Sequence, residues 1–322
     1  MKLRKILRSI RNSHIKANCM KCTKCGKKEA IFKVPYTNYF LCADCYSTYF
    51  YKRLKRNLSR SNVLSYGGKL SVFVPRSFTA EGLVLIKILR QIERKYNNKL
   101  TVIFESSPIV RKSLSVLGKL PSEVFYSLEI VDNEEKDISH EGMLGRLRVV
   151  RGMLSLLDKN ITGNAIVLPL CQDVLILLEL SSILGSIVEG INEGVLVISS
   201  SNGTNFINAF SGISCYETSF MAYYNFPEIY EFQIRNLNYE KNIYEKYTER
   251  ILTDASRMQS GEVIFSVNKS LSWLYKERGS MLKKCKYCGG TSSSEVCRFC
   301  KTYLDMYISE KNTPPFKLIS LE

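Results

Sequence analysis

The sequence predicts an α/β fold, a doubly wound and mainly parallel sheet, with a small four-cysteine module at each end. Three observations predict it. Eight of the eleven cysteines fall in four CxxC pairs, and the pairs lie at the two ends of the chain. The 239 residues between them alternate short apolar runs with longer segments that are apolar every third or fourth residue, the pattern of strands and helices taking turns. A chain of 322 residues, 45% hydrophobic and 24% charged, has enough apolar surface for one large core with satellite modules, which excludes a disordered or fibrous protein.

The elements follow in order. Residues 1–18 read as a basic helical arm, and residues 19–60 as a ribbon followed by a basic helix. In that ribbon, knuckles at Cys22/Cys25 and Cys42/Cys45 flank strands around Ala30–Val34 and Tyr39–Leu41, with Cys19 an extra thiol just upstream. Residues 61–213 form the α/β domain. Its strands are expected at Leu70–Val74, Leu100–Phe104, Ser127–Val131, Ala165–Leu170, Val195–Ser199 and Asn205–Phe210. Its helices are expected at Ala80–Lys95, Val110–Leu117, Glu141–Leu157 and Val174–Leu184. Sheets of this kind bind ligands beyond the carboxyl ends of their strands. Residues 214–282 read as mostly helical, 283–306 as the second ribbon, with Cys285, Cys288, Cys297 and Cys300, and 307–322 as a loose tail containing Pro314 and Pro315.

Each four-cysteine set supplies four soft thiolates on two short turns, the requirement of a closed tetrahedral Zn²⁺ site. Two structural Zn²⁺ ions are therefore expected. The basic N-terminus lacks the apolar run of a signal peptide, so the paired cysteines read as metal ligands in a reducing cytoplasm and not as disulfides. The most apolar stretch, Val174–Ile191, is broken by Glu179, Gly185 and Glu189. It reads as a buried helix, and no membrane association is expected.

The formal net charge is +16 and is concentrated: residues 1–60 carry +14. A basic block with interleaved aromatics beside a ribbon is the electrostatic footprint of a nucleic-acid partner, the alternatives being a solvated surface or an anionic membrane. Lys52, Arg53, Lys55, Arg56 and Arg60 cluster on one short helix and are the candidate RNA-binding residues. Arg146, Arg148 and Arg151 form a second basic run that reads equally as an RNA face or a solvated helix face, and Lys283, Lys284, Lys286 and Arg298 could extend the surface.

With these parts in this order, residues 19–305 resemble the PP-loop tRNA 2-thiolation family, whose cytosolic and archaeal-type members exchange oxygen for sulfur at C2 of a tRNA uridine. The motifs that carry the resemblance are CTKCGKK…LCADCY at the start and CKYCGG…VCRFCK at the end, with the segment Ile243–Leu274, including Gly261, before the last ribbon. The resemblance implies a PP-loop, HUP-like domain, a tRNA substrate and, in active members, ATP bound by an SGGKDS loop after a strand. The glycines of that loop let backbone N–H groups close around phosphates at a helix N-terminus.

Here the chain departs from the family. The glycines of Ser65–Ser71 precede the first strand of the domain and so cannot form a loop at its carboxyl end. The loop that does follow is Ser77, Phe78, Thr79, Ala80, Glu81 and Gly82, which keeps only the first serine of SGGKDS. Loss of the lysine and of both glycines argues against tight ATP binding by the usual geometry. The family's GHNLDD falls on Pro169–Val174, where Asp173 alone corresponds. The family's CxxCG turn falls on Glu141–Gly145, which has no thiol, and there is no cysteine between Cys215 and Cys285 to serve as the later one. No iron–sulfur cluster is therefore expected.

Intact ribbons beside three degenerate motifs imply a pseudoenzyme: a tRNA-binding, non-catalytic subunit that assembles with a catalytic PP-loop paralogue into a hetero-oligomer. Two alternatives stay open. One is an active ATP-dependent tRNA 2-sulfurtransferase with a rewired site, for which Cys171 at the end of a strand is the candidate nucleophile or persulfide carrier, with Cys215 a possible partner. Against this, a free cysteine beside an apolar helix is ordinarily a small core residue. The other is an RNA-binding zinc protein outside thiolation. His14 and His140 are the only histidines, and no Ser/His/Asp triad can be assembled.

Overall fold

The computed structural model describes residues 20–35, 37–62, 68–93, 98–118, 123–130, 141–236, 241–258, 266–267, 269–271, 273, 282–305, 308 and 315–321. The N-terminal arm, Cys19, both histidines and Gly261 lie outside the described residues. The chain divides into two compact units, residues 1–56 and 57–322.

In the first unit, β1 (Phe32–Lys33) pairs antiparallel with β2 (Phe40–Leu41), and α1 (Ala43–Arg60) follows at once, its residues from Asn57 on belonging to the second unit. Tyr46, Phe50, Leu54 and Leu58 are buried on α1 at helical spacing. The rings of Phe32 and Tyr46 lie 4.0 Å apart and supply a small core that a ribbon of this size otherwise lacks.

The second unit is built on a large sheet. Its strands are β3 (Lys69–Val74), β4 (Lys99–Glu105), β5 (Glu123–Ile130), β6 (Ala165–Cys171), β7 (Val197–Ser199), β8 (Asn205–Phe210) and β11 (Phe316–Ser320). Between the last two, β9 (Lys283–Lys284) and β10 (Thr291–Ser292) pair antiparallel as the small hairpin of the second ribbon. The seven strands of the large sheet lie in the order β11-β5-β4-β3-β6-β8-β7. The central five are parallel, and the two edge strands, β11 and β7, run antiparallel to their neighbours. The order turns back between β3 and β6, which places the topological switch point there. Every residue of β6 is buried, as a central parallel strand requires. Pro169 within it coincides with a register irregularity between Leu168 and Cys171, the place where a missing N–H is tolerated.

Helices α2 (Thr79–Glu93), α3 (Ile109–Leu117), α4 (Gly142–Leu156), α5 (Gln172–Leu184), α6 (Cys215–Asn225), α7 (Pro227–Asn236) and α8 (Ile243–Met258) complete the domain. Gly82 of α2 lies so close to Val74 that an added Cβ would come within 2.5 Å of it. Phe73, one residue earlier and therefore on the opposite face, instead lines a narrow apolar cavity with Leu147 and Val150 of α4 and Val174 and Leu178 of α5. Helices thus cover both faces. Ile176 and Leu177 of α5 meet Leu252 of α8 and Leu271 in a second apolar cluster.

The tail differs from expectation. Its residues Phe316–Ser320 pair with Tyr126–Ile130 as the seventh strand, because β5 otherwise presents an unpaired edge of N–H and C=O groups. No helix among the described residues is long and apolar enough to cross a membrane.

Candidate functional site

Both four-cysteine sets assemble. The Sγ atoms of Cys22, Cys25, Cys42 and Cys45 lie within 4.8 Å of one another, as do those of Cys285, Cys288, Cys297 and Cys300. Cys25 and Cys42 stand 3.9 Å apart, and Cys288 and Cys297 3.8 Å. A tetrahedral ion with metal–sulfur bonds of about 2.3 Å sets neighbouring sulfurs about 3.8 Å apart, so each set has the dimensions of a single-ion tetrathiolate site. Tight turns preorganise the thiols: the Gly26 amide donates to the Cys22 carbonyl and the Lys301 amide to the Cys297 carbonyl, each at 2.8 Å.

The C-terminal set is wholly buried, packed on α4. Arg148 donates from Nη1 to Cys288 Sγ at 3.4 Å and to the Thr291 carbonyl at 3.1 Å, and its Nε lies 2.6 Å from Glu193 Oε1. Arg151 donates to the same Glu193 oxygen at 2.8 Å. Arg146 pairs with Glu105, its Nε 2.8 Å from Oε1. The second basic run therefore forms neither an RNA face nor a solvated one, since Arg148 and Arg151 are fully buried and neutralise a carboxylate and a thiolate site.

The turn that corresponds to the family's CxxCG carries Glu141 and Leu144 at the cysteine positions, and its neighbours pack it tightly. Glu245 is wholly buried and accepts from the Met143 and Leu144 amides, both at 3.0 Å, satisfying the first turn of α4. A Cβ on Gly142 would fall 2.8 Å from that carboxylate, and one on Gly145 would fall 3.0 Å from the Phe299 ring of the C-terminal ribbon. These glycines let the ribbon and α8 approach the helix.

After β3 the chain makes a short turn, Arg76–Phe78, and enters α2. Phe78 and Thr79 are buried and turned into the protein. The Ala80 amide donates to Gln233 Oε1 of α7 at 2.7 Å, and Gln233 Nε2 donates to the buried Glu81 carboxylate at 2.8 Å. One amide at the start of α2, where a phosphate would be expected, is thus satisfied by the protein's own side chain. Burial pushes the Glu81 carboxyl above its ordinary value, against the opposing hydrogen bond from Gln233. Beside the turn, a cleft of about 300 Å³ lies beyond the carboxyl ends of β3 and β4, lined by Ser106, Ser107 and Phe232 among others.

A raised carboxyl contributes stability that is present below the unfolded value, 4.5, and is lost as pH rises through the folded value. Burial raises Asp173 and Glu245 with the same sign. Glu81→Gln keeps an acceptor for Gln233 and removes the ionisation. Its urea midpoint should match wild type below the unfolded value of 4.5 and exceed it progressively as pH rises from there through the folded value. Parallel midpoint curves would contradict this account.

Cys171 ends β6 and Cys215 opens α6 after β8, and the two are joined as a disulfide, in contrast to the eight CxxC thiols, which are free. The reading of Cys171 as a free thiol is therefore corrected: it is bonded to Cys215. The pairing has a signal in the sequence: each cysteine is among the first residues past the carboxyl end of a predicted strand, and β6 and β8 are neighbours. Asp173, the residue aligned with the family's GHNLDD, accepts from the Cys215 amide at 2.6 Å. The other residues that sequence reasoning missed, Gln233 and Glu245, sit on polar helices with no motif around them.

On α1, Lys52, Arg56 and Arg60 are exposed at i, i+4 and i+8, with Arg53 and Lys55 half-buried beside them. The Arg53 guanidinium lies over the Tyr49 ring at 5.4 Å.

Three comparisons bear on this arrangement. A family model described as "2-thiouridine synthetase TtuA, N-terminal LIM domain" matches residues 21–47. The Danio rerio "Cytoplasmic tRNA 2-thiolation protein 1" is 21% identical over 306 residues, covering 87% of each chain. The matches support the PP-loop tRNA 2-thiolation family as the one this chain resembles. In fold, the chain is similar to the U34-tRNA thiolase NcsA from Methanococcus maripaludis, with a TM-score of 0.65 at 17% identity over 89% of this chain and 97% of that one. That NcsA structure carries a [4Fe-4S] cluster. The expectation that no iron–sulfur cluster belongs to this chain is thereby corrected: the structural neighbour holds one, and this chain has cysteine groups whose thiolates are the ligand type such clusters use. The expectation rested on the α4 turn and did not count the thiols that the fold brings together elsewhere.

Proposed function

We propose that the protein is a tRNA-binding, non-catalytic subunit of a tRNA uridine 2-thiolation system, assembled with a catalytic PP-loop paralogue in the cytoplasm. The observation that carries this reading is the sealed start of α2. The Ala80 amide is taken by Gln233, the buried Glu81 carboxylate stands beside it, and Ala80 occupies the position of the phosphate-binding lysine. Phosphate binding at a helix N-terminus needs free amides and positive charge, and this loop supplies neither in the usual form. In the same reading the two tetrathiolate sites hold structural Zn²⁺, and α1 presents Lys52, Arg53, Lys55, Arg56 and Arg60 to tRNA phosphates.

Calorimetric titration of ATP into the zinc-loaded chain, with and without tRNA, tests the reading. No heat of binding is expected in either condition, together with copurification of an SGGKDS-bearing paralogue. Micromolar ATP binding would overturn it and favour the second reading, an active sulfurtransferase. The observation favouring that alternative is the meeting of Cys171 and Cys215 at the sheet's carboxyl edge.

A further inference from the structure

We propose that Cys171, Asp173 and Cys215, once the disulfide is reduced, form a three-donor site for thiophilic iron at the carboxyl edge of the sheet, displaced from the α4 turn where the family pattern puts two of its cysteines. The α4 turn offers no thiol here: Glu141 and Leu144 stand at the two cysteine positions of CxxCG. The donors come from the next place along the edge, where β6 and β8 lie side by side and Cys171 is registered with Phe210.

The two backbone segments are held there without the sulfurs. The Gln172 amide donates to the Ile213 carbonyl at 2.8 Å, the Gly212 amide donates to Gln172 Oε1 at 2.7 Å, and the Cys215 amide donates to Asp173 at 2.6 Å. The capping box between Ser214 and Glu217 fixes the start of α6. Cleavage of the S–S bond therefore leaves the Cα atoms, 5.3 Å apart, close to where they are. The two sulfurs and an Asp173 oxygen lie within 4.8 Å of one another. Cys171 is buried, whereas Asp173 and Cys215 are half-buried, so an ion has a way in and keeps a face toward solvent. Three protein ligands with one open side is the pattern of reactive sites, as opposed to the closed four-thiol pattern of the ribbons.

The chemistry balances. A dithiol reductant supplies two electrons and two protons to the S–S bond and is itself oxidised to a disulfide, leaving two thiols. Each thiol releases its proton when it binds iron.

The full chain, with both ribbons zinc-loaded, is reduced anaerobically with a dithiol. It is then incubated either with Fe²⁺ and sulfide or with Fe²⁺ alone, desalted, and analysed for iron, sulfide, zinc and charge-transfer absorption. Wild type should retain iron in both arms; accompanying sulfide marks a cluster, and its absence a single ion. Cys171→Ser and Cys215→Ser should retain none at unchanged zinc content. Asp173→Asn, which preserves an acceptor for the Cys215 amide, should lose affinity by at least about tenfold, the loss seen on changing even an outer-shell partner. Circular dichroism of each variant separates loss of iron from loss of fold. Iron retained equally by wild type and both serine variants, or absent from wild type, would overturn the proposal. Neither ATP nor tRNA enters the measurement, so its outcome is independent of the calorimetric test of the subunit reading.

Discussion

Arg148→Met should destabilise the second unit by about 3–5 kcal/mol, the cost of removing one partner from a buried ion pair. Arg148 is the meeting point of three demands. Its Nε stands 2.6 Å from Glu193, its Nη1 donates to Cys288 Sγ, and it reaches the Thr291 carbonyl. Burial alone would pull the guanidinium toward its neutral form, but Glu193, Cys288 and Cys297 outweigh that and keep it charged. Methionine preserves much of the volume and leaves Glu193 to Arg151 alone. A urea denaturation curve measures the loss, and a change below about 1 kcal/mol would refute the role assigned to the pair. Arg148→Lys should fall between, since an ammonium keeps the charge without the planar fork that serves Glu193, Cys288 and Thr291 together. The double variant Arg148→Met/Glu193→Gln should recover part of the loss, because no buried carboxylate is then left short of a counter-charge. Chelator-driven metal release from the C-terminal site should also quicken in Arg148→Met, a readout that loss of packing elsewhere in the domain would not produce.

Replacing Lys52, Arg53, Lys55 and Arg56 together with alanine should weaken tRNA binding and flatten its salt dependence, by about 0.7–0.9 in log–log slope for each phosphate no longer neutralised. Lys52 and Arg56 are exposed and Arg53 and Lys55 half-buried, none of them part of the buried stripe of Tyr46, Phe50 and Leu54, so alanine leaves that stripe in place and improves the helix's intrinsic propensity. The readout is the slope across a salt series, which reports how many phosphates the protein neutralises and is insensitive to modest changes in stability. An unchanged slope would rule this helix out as the principal RNA surface.

The two chemistries proposed for this chain are separable. The proposed loss of the phosphate cradle concerns β3 and α2. The Cys171–Cys215 pair and Asp173 lie on β6, α5 and α6. In the proposed reading a subunit without nucleotide activation still holds iron, and the calorimetric and iron measurements vary independently.

Much of this was legible in the chain itself. Strands β3, β4, β6 and β8 and helices α2, α4 and α5 fall within a few residues of where apolar periodicity puts them, because a strand buried on both faces must be apolar throughout and a helix on one. The eight ribbon ligands are readable because their spacing is local: CxxC places two thiols on one turn whatever the surrounding fold does. The basic stripe of α1 is readable for the same reason, since positions four apart share a helix face.

What local pattern could not decide was which distant residues meet. The arginines of α4 have the composition of a surface run, yet two of them are buried against Glu193 and a thiolate, since the ribbon closes over the helix from 140 residues away in sequence. The tail's Phe316–Ser320 becomes a strand only because β5 leaves an edge to pair with. The Ala80 amide is sealed by Gln233 from 153 residues on, and Cys171 meets Cys215 across a separation of 44. Residue type and short-range spacing determined the elements, the four-cysteine sets and the family resemblance. Long-range burial, in which each polar group withdrawn from water must find a partner wherever the fold brings one, decided that the Ala80 amide is taken by Gln233 and that the Cys171–Cys215 pair stands at the sheet's edge.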